Sequence, residues 1–184
     1  MDQQDILKVA EQLRSGAVIA YPSESVFGLG CLPDRPKAVK RLLSIKKRSS
    51  EKGLILVAGS LAQLLTWIEP LDADGMQTVQ TPRDRATTWV VPTRSTTPDL
   101  LTGGRDTIAI RISRHPLIQA LCQACNSALI STSANLSGEA PVTSVNDLDR
   151  RVRDKVDLVL HEDCLGENAP SQIIDLHSGQ ILRD

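Results

Sequence analysis

Aromatic side chains are scarce: the 184 residues include only Tyr21, Phe27, Trp67 and Trp89. The core must therefore be aliphatic, and a surface that stacks bases on a row of exposed rings is disfavoured. Long apolar runs are missing too. None approaches the roughly 20 residues of a membrane-spanning helix, and the opening Met1-Asp2-Gln3-Gln4-Asp5 is too acidic and polar for a secretory signal. Net charge is nearly absent, with 21 Lys and Arg against 22 Asp and Glu, which argues against a nucleic-acid packaging role. Cysteine is limited to Cys31, Cys122, Cys125 and Cys164. The lone Cys122-x-x-Cys125 has no second pair to complete a tetrahedral zinc site. It reads as two small apolar residues on one helix face in a reducing cytoplasm, with no metal site expected.

Familiar catalytic signatures are also lacking. There is no G-x-x-x-x-G-K-[ST] phosphate loop, no G-x-G-x-x-G fingerprint and no H-E-x-x-H. No serine sits in a nucleophile elbow, and His115, His161 and His177 are scattered. Any chemistry is therefore expected to rest on positioning and charge rather than on a covalent nucleophile.

What is present is an ordinary globular composition, 41% hydrophobic and 23% charged, in a chain that can bury about 70% of its unfolded surface as one domain. Helical spacing of Ile6, Val9, Ala10 and Leu13 predicts a helix over 4–14, stopped by Gly16. Strands are expected at 17–21, 53–58, 87–93, 107–113, 128–130 and 156–160. Further helices are expected after Pro36, from Ser60 to about Ile68, over 116–125, and over 144–154 behind a capping-box-like start. A hairpin is expected around His177-Ser178-Gly179. Residues 23–31 read as a glycine-bearing loop, and 71–85 show no clear pattern. Helices and strands alternate in places and strands pair directly in others, so the expected class is α/β (α+β), a mixed sheet flanked by helices.

Seven cations, Lys37, Lys40, Arg41, Lys46, Lys47, Arg48 and Lys52, crowd one short stretch opposed only by Glu51. Some of them could simply complement the C-terminal end of a helix. Three hydroxyl-rich turns read as following apolar strands: Tyr21-Pro22-Ser23-Glu24-Ser25, Ser131-Thr132-Ser133-Ala134-Asn135 and Ala169-Pro170-Ser171. Any one of these could merely stabilise a turn, but together with the basic cluster they suggest an anion site. Arg111 interrupts the strand pattern of Ile108, Ile110 and Ile112, so it faces either solvent or a pocket. In a pocket its guanidinium fork would suit a carboxylate.

These same stretches carry a resemblance. The segment from Tyr21 to Cys31, Lys46-Lys47-Arg48 with Lys52-Gly53-Leu54-Ile55, and Ser131 to Gly138 resemble the YrdC-like family over residues 5–184. The resemblance implies a single YrdC-like domain, a twisted and largely open sheet around a large basic cavity. It also implies a cytoplasmic nucleotidyltransferase that joins L-threonine, bicarbonate or carbon dioxide, and ATP into threonylcarbamoyl-AMP and diphosphate. Partner t6A transferase proteins would then modify adenosine 37 of tRNAs reading codons that begin with A. Carried over residue by residue, Lys46, Arg48 and Lys52 would be catalytic, neutralising the triphosphate. Thr107, Ser133, Asn135 and Arg183 would bind the nucleotide, and Ser23, Ser25, Arg111, Ser131 and Ser171 the threonine. Mg²⁺ would be held mainly by the phosphates of ATP.

The chain departs from the resemblance at one loop. Where the family usually has Trp-Pro-Gly-Pro, this sequence has Arg83-Asp84-Arg85-Ala86. That charged loop sustains a rival expectation, a non-catalytic RNA-binding or ribosome-maturation module that contacts tRNA or duplex RNA through the same basic cavity. A third reading is a hydrolase of carbamoyl or acyl phosphates.

Overall fold

The computed structural model describes residues 1–166 and 170–184. Nine strands form one mixed sheet in the order β7-β1-β2-β6-β3-β5-β4-β8-β9. They are β1 (Ile19–Pro22), β2 (Phe27–Gly30), β3 (Ile55–Ala58), β4 (Thr87–Pro92), β5 (Thr107–Ile112), β6 (Leu129–Ser133), β7 (Leu158–Val159), β8 (Gln172–Asp175) and β9 (Ile181–Arg183). The pairs β1–β7, β3–β5 and β4–β8 are parallel and the others antiparallel.

Helices α1 (Gln3–Arg14), α2 (Pro36–Lys46) and α5 (Pro116–Cys125) lie where the sequence pattern puts them. Asp2 caps α1 by accepting from the Asp5 N–H at 2.8 Å. Its stripe of Ile6, Val9, Ala10 and Leu13 is buried. Leu13 joins Ile118 of α5 and Val57 and Leu129 of the sheet in one apolar cluster. A second cluster joins Val39 and Leu42 of α2 to Leu29, Leu56, Ile110 and Ile130. In-register partners point the same way, so Val57, Arg111 and Leu129 share a sheet face with Ile55 and Ser131. Helices α1 and α5 cover Val57 and Leu129; beyond them, the same face opens as a hollow lined by Ile55 and Ser131.

Several expectations are corrected. Residues expected as a loop contain β2, in which Gly30 is a steric need rather than a turn signal. A Cβ on Gly30 would stand 2.5 Å from the Ile130 carbonyl oxygen and 2.7 Å from the Tyr21 ring. The helix expected from Ser60 is only a 3₁₀ turn, Leu61–Gln63. The carbonyls that would continue it are taken elsewhere: Trp67 by the hydroxyls of Thr93 and Thr97, and Leu65 and Ile68 by the Arg94 guanidinium. The helix expected over 144–154 is split into a 3₁₀ turn, Val145–Asp147, and α6 (Arg150–Arg153). Two helices were not anticipated, α3 (Ala73–Gln80), capped by Asp72, and the short α4 (Asp99–Thr102). Of the described α3 residues only Val79 is buried, which left too faint a periodicity to read.

Candidate functional site

The hollow is open to solvent and has a cavity volume of about 190 Å³, below the range of about 300–1,000 Å³ usual for small-molecule sites. Its wall is assembled from distant parts of the chain. Ser23, Ser25 and Val26 come from the β1–β2 connection, Arg48 and Leu54 from the segment between α2 and β3, and Arg111 from β5. Ser131, Thr132 and Ser133 come from β6, Ser171 from just before β8, and Arg183 from β9. Pro141 and Pro170 close its apolar side, and no carboxylate stands in the described wall.

The basic stretch is divided by how α2 ends. Lys47 adopts the left-handed conformation (φ 50°, ψ 44°), and the Arg48 N–H returns to the Leu43 carbonyl at 3.0 Å, a Schellman-type ending. Lys46 is buried and its ammonium donates to the Asn135 carbonyl at 2.6 Å and to the Ser133 carbonyl. Burial, with the charge of Arg48 next, lowers its pKa to about 8. Arg48 faces the hollow; one amino group donates to the Gly53 carbonyl at 3.0 Å, while its Nε is buried with no hydrogen-bond partner. Lys52 ends a 3₁₀ turn, Ser50–Lys52, and is exposed outside the wall.

Arg111 points into the hollow rather than to solvent. It is 7% exposed, and its guanidinium lies 3.5 Å from the Glu24 carboxylate. Glu24 itself is 1% exposed. It accepts from the Ser113 hydroxyl at 2.6 Å and from the Arg114 N–H at 3.0 Å. Burial pushes the Glu24 carboxyl up; Arg111 and these hydrogen bonds outweigh it, so its pKa lies below the ordinary 4.5.

The hydroxyls differ in what they offer. Ser23 donates to the Val26 carbonyl at 2.7 Å, leaving its oxygen as an acceptor toward a ligand. The Ser171 hydroxyl lies 2.8 Å from that of Thr88, and the Arg183 guanidinium donates to the Ser171 carbonyl at 2.7 Å. Burial, then Arg111 and Arg85, lowers the pKa of Arg183.

Of the expected site residues, Ser23, Ser25, Arg48, Arg111, Ser131, Ser133, Ser171 and Arg183 meet in one hollow. Lys46 and Asn135 stand just behind it, joined to each other and to Ser133. Asn135 also donates to the Leu136 and Glu139 carbonyls at 3.0 and 2.6 Å, fixing the turn after β6. Thr107 is not in the wall. It shares the face of Arg111 but lies four residues earlier on β5, roughly 13 Å along the strand. Ala169 of the third hydroxyl turn lies outside the described residues. Sequence reasoning missed Glu24, although it sits inside the first hydroxyl turn. It also missed Val26, Leu54 and Pro141, whose apolar character gave no signal of a site.

The charged loop that departs from the family resemblance is anchored. Arg85 donates to the Pro170 carbonyl at 2.9 Å and pairs with Asp184 at 2.7 Å. The Arg83 guanidinium stacks 4.7 Å from the centre of the Trp89 ring. Arg85 thereby steadies Pro170 in the cavity wall.

Known proteins match this chain in sequence and fold. The Sua5/YciO/YrdC family, described as "Telomere recombination", matches residues 11–184. The threonylcarbamoyl-AMP synthase of Vibrio campbellii is 40% identical over 178 residues, which cover 96% of each chain. That of Haemophilus influenzae is 44% identical over 179 residues, covering 96% of this chain and 97% of the relative. Among solved structures, P. abyssi Sua5 complexed with L-threonine aligns with a TM-score of 0.88 at 26% identity, over 95% of this chain and 52% of that one. This chain thus spans about half the length of that Sua5. E. coli YciO aligns with a TM-score of 0.84 at 28% identity, over 100% of this chain and 90% of that one.

Proposed function

The chain belongs to the Sua5/YciO/YrdC family, and on that premise we propose that it is a threonylcarbamoyl-AMP synthase acting as a single domain over residues 5–184. The observation that carries this reading is the convergence of Arg48, Arg111 and Arg183 with five serines on one hollow whose described wall holds no carboxylate. Such a wall attracts two anionic reactants and brings them together without forming a covalent bond to either.

Arg111 holds the threonine carboxylate through its fork, and Ser23, Ser25, Ser131 and Ser171 bind around the amino acid. Arg48 and Arg183 hold the phosphates of ATP, with Lys52 reaching in from the rim. Ser133 orients the nucleotide from the end of β6, and Lys46 with Asn135 fixes the turn that carries it. Val26, Leu54 and Pro141 offer the adenine an apolar wall, which suits a chain with so few aromatic rings. The threonine amine condenses with bicarbonate, releasing water and giving an N-carboxylate. An oxygen of that carboxylate attacks the α-phosphorus of ATP, the bond from that phosphorus to the β-phosphate oxygen breaks, and diphosphate leaves. The developing charge is met by guanidinium groups already in place. Mg²⁺ enters as part of the substrate, carried on the phosphates of ATP. The product then passes to partner proteins that modify adenosine 37 of tRNA, in the cytoplasm; no helix of the described residues is long and apolar enough to cross a membrane.

Diphosphate release from ATP tests the reading. It is expected to require both threonine and bicarbonate. Arg111→Ala should raise the KM for threonine and Arg48→Ala the KM for ATP, each about tenfold or more, as for loss of a charge-assisted contact of about 1.5–3 kcal/mol. Diphosphate release indifferent to threonine would contradict it. Salt-sensitive binding of duplex RNA without ATP turnover would favour the RNA-binding module instead.

A further inference from the structure

Glu24 is, among the described residues, the one deeply buried carboxylate at the edge of the hollow, and the chemistry above does not use it. Its surroundings are built with care. One oxygen accepts from the Ser113 hydroxyl at 2.6 Å and the Arg114 N–H at 3.0 Å. Ser113 is fully buried, and its hydroxyl oxygen also accepts from the His115 N–H at 3.2 Å. The Ser113 N–H is tied to the Ala58 carbonyl at 2.8 Å, and its carbonyl accepts from the Gln119 side chain at 3.0 Å. The carboxylate is thus locked to the end of β5 and the start of α5.

The other Glu24 oxygen faces Arg111 at 3.5 Å and has no hydrogen-bond partner. That separation is longer than the 2.7–2.9 Å typical of a charge-assisted hydrogen bond. Arg111 Nε is likewise buried without a hydrogen-bond partner. The pair is therefore close enough to steer the guanidinium but too loose to saturate its donors. A tight bidentate pair would leave Arg111 unable to serve a ligand, and a missing carboxylate would leave a buried cation with nothing to aim it.

We propose that Glu24 is a positioning residue, held by Ser113, that aims the Arg111 fork into the hollow and leaves its donors available for the carboxylate of the amino-acid substrate. This rests on the assignment of that carboxylate to Arg111. Glu24 itself touches neither reactant.

The sign of the effect separates positioning from simple electrostatics. Removing a negative charge near the site would, by itself, tighten the binding of an anion. Loss of aim loosens it. With full-length protein, the KM for L-threonine and the KM for ATP are measured separately in the diphosphate-release assay for the unsubstituted protein, Glu24→Gln and Ser113→Ala. Expected is a rise in threonine KM of about tenfold in Glu24→Gln, with ATP KM within about twofold, and a smaller rise in the same direction in Ser113→Ala. Ser113→Ala retains the Glu24 charge, so it keeps the test alive if Glu24→Gln does not fold. Unchanged or lowered threonine KM, or equal rises in both constants, would overturn the proposal. Absence of threonine-dependent turnover in the unsubstituted protein would instead remove the functional reading beneath it, and the positioning role with it.

Discussion

The ammonium of Lys46 donates to the backbone carbonyl of Asn135 at 2.6 Å. With its bond to the Ser133 carbonyl, this ties the end of α2 to the turn that follows β6. Substituting Lys46 with Met keeps the apolar stem and leaves two inward-facing carbonyls without their donor. The expected cost is about 1–3 kcal/mol, measured by urea unfolding, together with weaker ATP binding in calorimetry as the β6 turn loosens. Lys46→Arg should not rescue either property, because a planar fork does not fit where a compact ammonium meets converging carbonyls.

The pH dependence of Lys46 follows from its pKa of about 8 in the fold against an ordinary 10.5. Between those values the unfolded chain binds the proton and the folded chain does not. The stability of the protein relative to Lys46→Met should therefore rise with pH across that window. Affinity for the triphosphate should move the other way, falling as pH climbs through about 8 and the ammonium is lost. Calorimetric titration with ATP on either side of pH 8 checks this, and a flat profile would contradict it.

Glu24 gives the opposite case. Its pKa is held below the ordinary 4.5, so the stability it contributes is present above that value and is lost as pH falls through the lower, folded one. Acid unfolding of Glu24→Gln should show a shallower fall below pH 4.5 than the unsubstituted protein.

Lys47 and Asn126 end α2 and α5 in the same left-handed conformation, each with φ 50°. A branched side chain is poorly tolerated there, so Lys47→Val should destabilise the protein by about 1–2 kcal/mol. Lys47→Gly should be neutral to within about 1 kcal/mol, since glycine accepts this conformation but gains freedom in the unfolded chain. Thermal unfolding of the two variants distinguishes them, and equal losses would contradict a conformational cause.

Much of the site could be read from residue types and much of the fold from periodicity. The stripe of α1 and the Ile-Ala-Ile-Arg-Ile pattern of β5 named their elements and set Arg111 on the sheet face opposite Ile110. Serines clustered after β1 and within β6 pointed to the walls of the hollow. Three kinds of feature stayed hidden. Gly30 looked like a loop residue because the Tyr21 ring that requires it is contributed by the neighbouring strand. The turn after Ser60 has helical spacing, but its carbonyls are claimed by Thr93, Arg94 and Thr97, some 26–30 residues away. Lys46 and Arg48 read as equivalent cations, and only the left-handed turn at Lys47 separates the one behind the wall from the one in it. The turn after Ser60 and the burial of Lys46 against Ser133 and Asn135 depend on partners distant in sequence, which local pattern does not encode.

Gly30→Ala tests the reading of β2. The added methyl would meet the Tyr21 ring and the Ile130 carbonyl oxygen, both fixed by the sheet. A loss of about 1–3 kcal/mol is expected from overpacking, readable as a lower urea midpoint with an unchanged slope. A variant as stable as the unsubstituted protein would contradict the close approach.

The central claim is that one cationic hollow joins two anionic reactants. Mass spectrometry of the product formed from ATP, L-threonine and isotopically labelled bicarbonate tests it most directly. The expected result is threonylcarbamoyl-AMP carrying the label in its carbamoyl carbon, formed together with diphosphate and lost in Arg48→Ala. Release of inorganic phosphate, or formation of an adenylate that contains no threonine, would contradict the account.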